Sequence, residues 1–352
     1  MVSHSELKTS AVVFLLIILH KSVILQLSDF SLQLWFGGLW QMNLSNNGRN
    51  FTTAVSRDAL NVAIIKNVIT VVLSISIVYV NATLVHTFKK HQIFNTNPRY
   101  ILYIHLVIND IILLIMLTLL QLLSYILFTL NVTFCVIMLM VSIISSLNNP
   151  LTLAVMAVEC YIAICFPLSH PQICTIKKTY AVITVIWTLS TLTILPDLFV
   201  VLATESNEFF HSKVFCLREN IFKNPNLNRK RDVTNIMFLV IVWFTLFYTY
   251  FRILFAAQAA SANAKKARNT VMLHGFQLLL CMLSYLFNIM IEGLTSLFPS
   301  GVSTIRYLVA LFIQILPRLI SPMVYGLRDK TFRRYLIRYT MFYTTKAKIQ
   351  PP

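Results

Sequence analysis

Long apolar runs broken by short basic segments dominate the sequence. Seven of them can cross a hydrocarbon core of roughly 30 Å, which needs about 20 apolar residues in a helix. They fall near 60–87, 98–126, 131–166, 178–202, 231–258, 267–295 and 303–327. Membrane-barrel strands would be ~10 residues long and would alternate in polarity, so the pattern predicts helices. The expected fold is all-α and integral to the membrane, with a seven-transmembrane helix bundle over 60–327. The third run is the longest, and its last turn is expected to stand in water. Connections are short except for 203–230. Residues 1–59 read as an N-terminal extension and extracellular N-terminus, and 328–352 as a cytoplasmic amphipathic helix and tail. Within the extension, 11–27 is apolar but short, and His20 and Lys21 interrupt it. It reads as a signal-like segment without a clean cleavage site, as a plain extension, or as an eighth span.

Composition narrows the classes. Hydrophobic residues make up 57% and charged residues 12%, against about 25% charged in soluble domains. Mean hydropathy is +0.73. Too few charges remain to clothe a soluble enzyme, and disordered, collagen-like and disulfide-scaffold chains are excluded. Only 7 Gly argue against a nucleotide-binding fold, because phosphate loops use Gly-rich turns. The formal net charge of +17 would suggest nucleic acid in a soluble protein. Here the Lys and Arg lie between apolar runs, so membrane lipid is the expected partner and nucleic acid is not. The 6 Cys show no zinc spacing, so neither a metal site nor a cofactor is expected.

Basic residues also set the orientation. One side receives Lys89, Lys90, Arg99, Lys177, Lys178, Lys265, Lys266 and Arg268, followed by the basic tail from Arg328 to Lys348. The other side has fewer, although the 203–230 loop is itself basic. The C-terminus is therefore read as cytoplasmic, in a multi-pass plasma-membrane protein. Asn43 and Asn50 begin glycosylation sequons on the outer side, in agreement.

Local motifs sharpen the picture. The third run ends in Met156-Ala157-Val158-Glu159-Cys160-Tyr161, followed by Ile162-Ala163-Ile164-Cys165-Phe166-Pro167-Leu168. Around it, in order, come Asn81, then Leu106-Val107-Ile108-Asn109-Asp110, Trp187, Thr249-Tyr250, Lys266-Ala267-Arg268 with His274, and Ser321-Pro322-Met323-Val324-Tyr325. Jointly these resemble the odorant-receptor form of the rhodopsin-like (class A) G-protein-coupled receptors, most closely the fish odorant-receptor branch. The resemblance covers about residues 60–340.

It implies a receptor, not an enzyme, that binds a small extracellular odorant and activates an olfactory-type stimulatory heterotrimeric G protein. Glu159, Cys160, Tyr161, Tyr250 and Tyr325 would be its coupling and activation residues. Two positions depart from the family pattern: Cys160 stands where Arg is usual, and Ser321 stands where Asn is usual. Cys135 and Cys216 are expected to form a disulfide, both lying on the outer side, with free thiols as the alternative. Cys160, Cys165 and Cys174 are expected to stay reduced. The resemblance places the ligand between helices three, five, six and seven. Helix phase there groups Ser142 with Ser146, Thr234 with Phe238, and Leu311 with Ile315, with Tyr285 on the sixth helix. Each of these equally reads as ordinary helix packing. Phe332, Leu336 and Tyr339 fall at helical spacing in a basic tail, which fits a helix lying on the inner leaflet. The alternatives are a non-olfactory receptor of the same fold, for another small ligand or a peptide, and a transporter or channel. The last would want an internal repeat or matching broken helices.

Depth along the helices gives one further expectation. Arg318 is ten residues before Arg328, and Asn149 ten before Glu159, each about 15 Å in at 1.5 Å per residue. Asp110 is twelve residues after Pro98, roughly 18 Å in. These residues belong with Asn81 and Ser321 to a buried polar layer near the membrane midplane, where Asp110 and Arg318 are expected to form an ion pair. The alternatives are an Arg318 that snorkels to the interface and a water-filled pocket.

Overall fold

The computed structural model describes residues 60–259, 287–298, 302–315 and 317–319. The long helices are α1 (Leu60–Lys90), α2 (Pro98–Ile126), α3 (Val132–Cys165), α5 (Ile176–Thr204) and α8 (Pro225–Ala259). Between them lie the short helices α4 (His170–Ile173), α6 (Asn207–His211) and α7 (Arg218–Ile221). Then come α9 (Phe287–Leu297) and α10 (Val302–Ala310), the latter running into a π-helical turn at Leu311–Ile315. Among the described residues, five helices are long and apolar enough to cross a membrane. The predicted sixth and seventh spans are only partly within the described residues, and the 1–59 and 328–352 segments lie outside them.

Helix starts follow local chemistry. The Asn97 side chain accepts from the Arg99 amide, and Pro98 sits in the first turn of α2, where a missing N–H costs nothing. Asn131 caps α3 by accepting from Thr133 N at 2.9 Å, and the Thr175 side chain caps α5.

The burial pattern is inverted relative to a soluble helix. On α1, Ile64, Val68, Val72, Ile75 and Tyr79 form an exposed stripe at three- and four-residue spacing. Its inward face holds Lys66, Thr70, Ser74, Asn81 and Thr87. In water such a stripe would drive aggregation, whereas in lipid it is the matching surface. Polar groups pair across the inward face: Gln121 Nε2 donates to Thr70 Oγ1 at 2.8 Å, and Ser74 and Thr118 hydroxyls lie 2.7 Å apart. The central helix is α3, which packs against α2, α5 and α8.

One end of the bundle is closed by the 203–230 connection. Two-residue strands β1 (Leu130–Asn131) and β2 (Lys213–Val214) pair antiparallel, with Leu130 opposite Val214. Strands this short leave no alternation to read in the sequence. Cys135 at the start of α3 is disulfide-bonded to Cys216, closing a separation of 81 residues. Val132, Cys135, Val201, Cys216, Ile221, Phe222 and Leu227 form an apolar cluster around the bond. Removing a native disulfide costs about 2–5 kcal/mol, so Cys135→Ala and Cys216→Ala should lower the thermal stability of the detergent-solubilised protein equally. The double variant should be no worse than either single one. Unequal singles, or a double variant that sums them, would show that the two cysteines act apart.

Candidate functional site

The centre of the bundle holds a carboxylate. Asp110 on α2 is fully buried. Its Oδ1 accepts from Arg318 Nη1 and from Asn149 Nδ2, each at 2.8 Å. Arg318 is 3% exposed, so its guanidinium stays in the interior and does not reach an interface. Three elements meet at one oxygen: α2, α3 and the helical turn 317–319. Asp110 Oδ2, Asn149 Oδ1 and Arg318 Nε are buried without a hydrogen-bond partner among the described residues. Asn81 is also buried and its amide has no partner there, so it shares the layer without joining the cluster. Ser321 lies outside the described residues. Pro150 follows Asn149 within α3 and removes one backbone donor, loosening the helix beside the cluster.

A second network lies next to it. Trp187 Nε1 donates to His105 Nε2 at 2.9 Å, and an indole N–H is a donor only. The imidazole proton therefore sits on Nδ1, 3.2 Å from Thr152 Oγ1, which in turn donates to the Asn148 carbonyl at 2.7 Å. This neutral His105 joins α2, α3 and α5. Among the described residues no cluster of metal-ligating side chains occurs.

At the end of α3 away from the disulfide, Glu159 is 6% exposed. Its carboxylate accepts from Arg99 Nε at 3.1 Å and pairs with His170 Nε2 at 3.0 Å. Neither partner was evident from the sequence, where Arg99 registered only as one of a row of basic residues. Cys160 is buried against Ile253, with Tyr161, Ile164 and Tyr250 around them. The Tyr161 ring meets Phe166 at 5.7 Å and Tyr248 at 6.0 Å. Tyr325 lies outside the described residues. Cys160, Cys165 and Cys174 are not disulfide-bonded. Burial and then the Glu159 carboxylate push the Cys174 thiol up, with Lys178 opposing.

Asp197 on α5 is a third buried acid, and sequence reasoning passed over it although it falls inside a predicted span. It pairs with Arg218 of α7 at 3.4 Å and with Lys230 of α8, whose ammonium also donates to the Thr193 carbonyl at 2.9 Å. This triad fastens the 203–230 connection to two long helices.

The expected ligand-lining residues divide. Ser142 is buried and its hydroxyl bonds the Met138 carbonyl of its own helix at 2.8 Å. Ser146, Thr234 and Phe238 are half-buried. Leu311 and Ile315 pack in an apolar cluster with Leu73, Ile77 and Leu114 of α1 and α2. They sit in the π-helical turn and still face the same cluster. Tyr285 lies outside the described residues, as do Asn43 and Asn50.

A family model described as 7 transmembrane receptor (rhodopsin family) matches residues 80–325. The chain belongs to the rhodopsin family of seven-transmembrane receptors. It is also 30% identical over 307 residues to Odorant receptor 131-2 of Danio rerio, covering 85% of this chain and 91% of that protein. The protein is thus a multi-pass membrane receptor with a seven-helix bundle, and the family couples small-molecule binding to G proteins.

In this receptor the Asp110–Arg318 pair is its most deeply buried charge contact among the described residues. Breaking one half of such a pair costs about 3–5 kcal/mol, because the other charge is stranded. Arg318→Leu alone should therefore lower the yield of monodisperse, detergent-solubilised receptor more than Asp110→Asn combined with Arg318→Leu does. A double variant no better than the single would mean that the two charges do not neutralise each other.

Proposed function

We propose that this receptor is an odorant receptor of the plasma membrane. It binds a small odorant from outside and activates an olfactory-type stimulatory heterotrimeric G protein inside. The observation that carries the reading is the similarity to Odorant receptor 131-2 over most of both chains. The proposed orientation has two independent supports. Lys89, Lys90, Arg99, Lys177 and Lys178 gather at one end of the bundle, as expected of a cytoplasmic face. The Cys135–Cys216 disulfide is at the opposite end, which suits an oxidising compartment. In this reading residues 1–59 stand outside with Asn43 and Asn50 as glycan sites. The bundle spans 60–327, and the basic segment 328–352 lies on anionic lipid at the inner leaflet.

Ligand binding acts by shifting a population between resting and active arrangements. Ser146, Thr234 and Phe238 are the proposed lining, and an outer cap over them is fixed by the disulfide and the Asp197 triad. Glu159, Tyr161 and Tyr250 lie at the proposed G-protein face, where Cys160 occupies the position that usually holds an arginine. A panel of volatiles and amino acids applied to cells expressing the receptor should raise cAMP for at least one class. That response should vanish on deletion of the stimulatory G protein. A response that persists without any G protein, or an ion current in its place, would contradict the reading.

A further inference from the structure

We propose that Lys66 anchors the ligand at the outer end of the bundle, and that the ligand is a small carboxylate. This rests on the odorant-receptor reading above and names its ligand class. Lys66 lies in the second turn of α1, at the end that faces outside in that reading, and is 1% exposed. Burying an ammonium is costly, and an ionisable residue inside a span generally marks a functional place. Its Nζ donates to Thr304 Oγ1 of α10 at 3.3 Å and stands 5.6 Å from the centre of the Tyr307 ring. The backbone beneath it is held as well. The Lys66 carbonyl accepts from the Tyr307 hydroxyl at 3.2 Å and from the Thr70 hydroxyl at 3.0 Å. Gln121 Nε2 of α2 in turn donates to Thr70 Oγ1 at 2.8 Å. Three helices therefore gather hydroxyls and an amide around one ammonium. Further in, Leu73, Leu114 and Leu311 pack together as an apolar floor.

A second observation points to an anion. Arg306 lies between Thr304 and Tyr307 along α10, and its Nε is buried without a hydrogen-bond partner among the described residues. A buried donor in that state calls for an acceptor. The 203–230 connection, at the same end, carries Lys213, Arg218, Lys223, Arg229 and Lys230 against Glu205, Glu208 and Glu219. Its field draws anions towards this mouth. A carboxylate matches the single charge of Lys66 without leaving a second one in the core. The ammonium is covered by α10 in the present arrangement. A carboxylate reaches it by taking the place of the Thr304 hydroxyl, which parts α10 from α1. Binding then favours the parted arrangement, and that differential contact is what shifts the population.

The test uses the full-length receptor with hexanoate, phenylacetate and L-leucine as probes, each beside its primary amide. One arm measures thermal stabilisation of the purified receptor by each probe. The other measures cAMP in cells expressing it. At least one carboxylate should stabilise the wild type at about tenfold lower concentration than its amide, as a charge-assisted contact requires. Lys66→Met should abolish that preference, and Lys66→Arg should keep part of it. Arg306→Gln should weaken carboxylate binding by roughly threefold and leave the amide unchanged. Arg306→Gln and Lys66→Arg decide the matter if Lys66→Met does not fold. Wild type that binds no carboxylate, or binds acid and amide alike, overturns the proposal. So does a Lys66→Met receptor that is less stable without ligand yet keeps the full preference, because Lys66 would then only brace α1 against α10. Carboxylate binding without any cAMP response would leave the subsite standing and remove the receptor reading. A cAMP response confined to the amides would do the reverse.

Discussion

The carboxylate of Asp110 sits fully buried in the middle of a membrane bundle, and the surrounding structure is arranged to accommodate it. Taking an ion out of water costs several kcal/mol even after relaxation, and hydrocarbon offers no hydrogen bonds in return. The compensation comes from a guanidinium on the last described helical turn and an amide on α3, both aimed at Oδ1. Because the partners come from separate elements, neutralising the charge also fixes how α2, α3 and the 317–319 turn approach one another. The neighbouring His105 network extends the same layer to α5, with each donor matched to an acceptor.

The inverted burial pattern follows from the same solvent argument. Polar residues face inward because inward is where partners are, and apolar stripes face outward because lipid accepts them. On α8, Val233, Met237, Val240, Phe244, Phe247, Phe251 and Phe255 repeat the outward stripe of α1. Hydroxyls on the spans mostly bond back to their own helix, as Thr87 does to the Thr83 carbonyl and Thr245 to the Ile241 carbonyl. Such bonds satisfy the polar atom without needing a neighbour, so they carry little information about function.

What could be read from the sequence depended on the length scale. The spans 98–126 and 178–202 were legible because long apolar runs have one physical reading. The Asp110–Arg318 contact was legible because depth follows from helical rise. The partners of Glu159 were not, since Arg99 lies 60 residues away and His170 sits in a loop whose path has no periodicity. Asp197 was visible as an acid within a span, but its partners Arg218 and Lys230 arrive from the long connection. Leu311 and Ile315 share a packed face as their spacing suggested, but the π-helical turn that holds them cannot be seen in a hydropathy pattern. Cys160 remains instructive: the sequence exposed a missing arginine, while the structure supplied a different arginine, on another helix, facing the adjacent glutamate.

The central claim is that Asp110 is ionised inside the membrane because Arg318 neutralises it. Infrared difference spectroscopy of the purified receptor against Asp110→Asn tests this directly. The account predicts that the substitution removes an ionised carboxylate band and no protonated-acid carbonyl band. Loss of a protonated-acid band would show that Asp110 is held as a neutral acid, and that Arg318 is not what keeps it in the core.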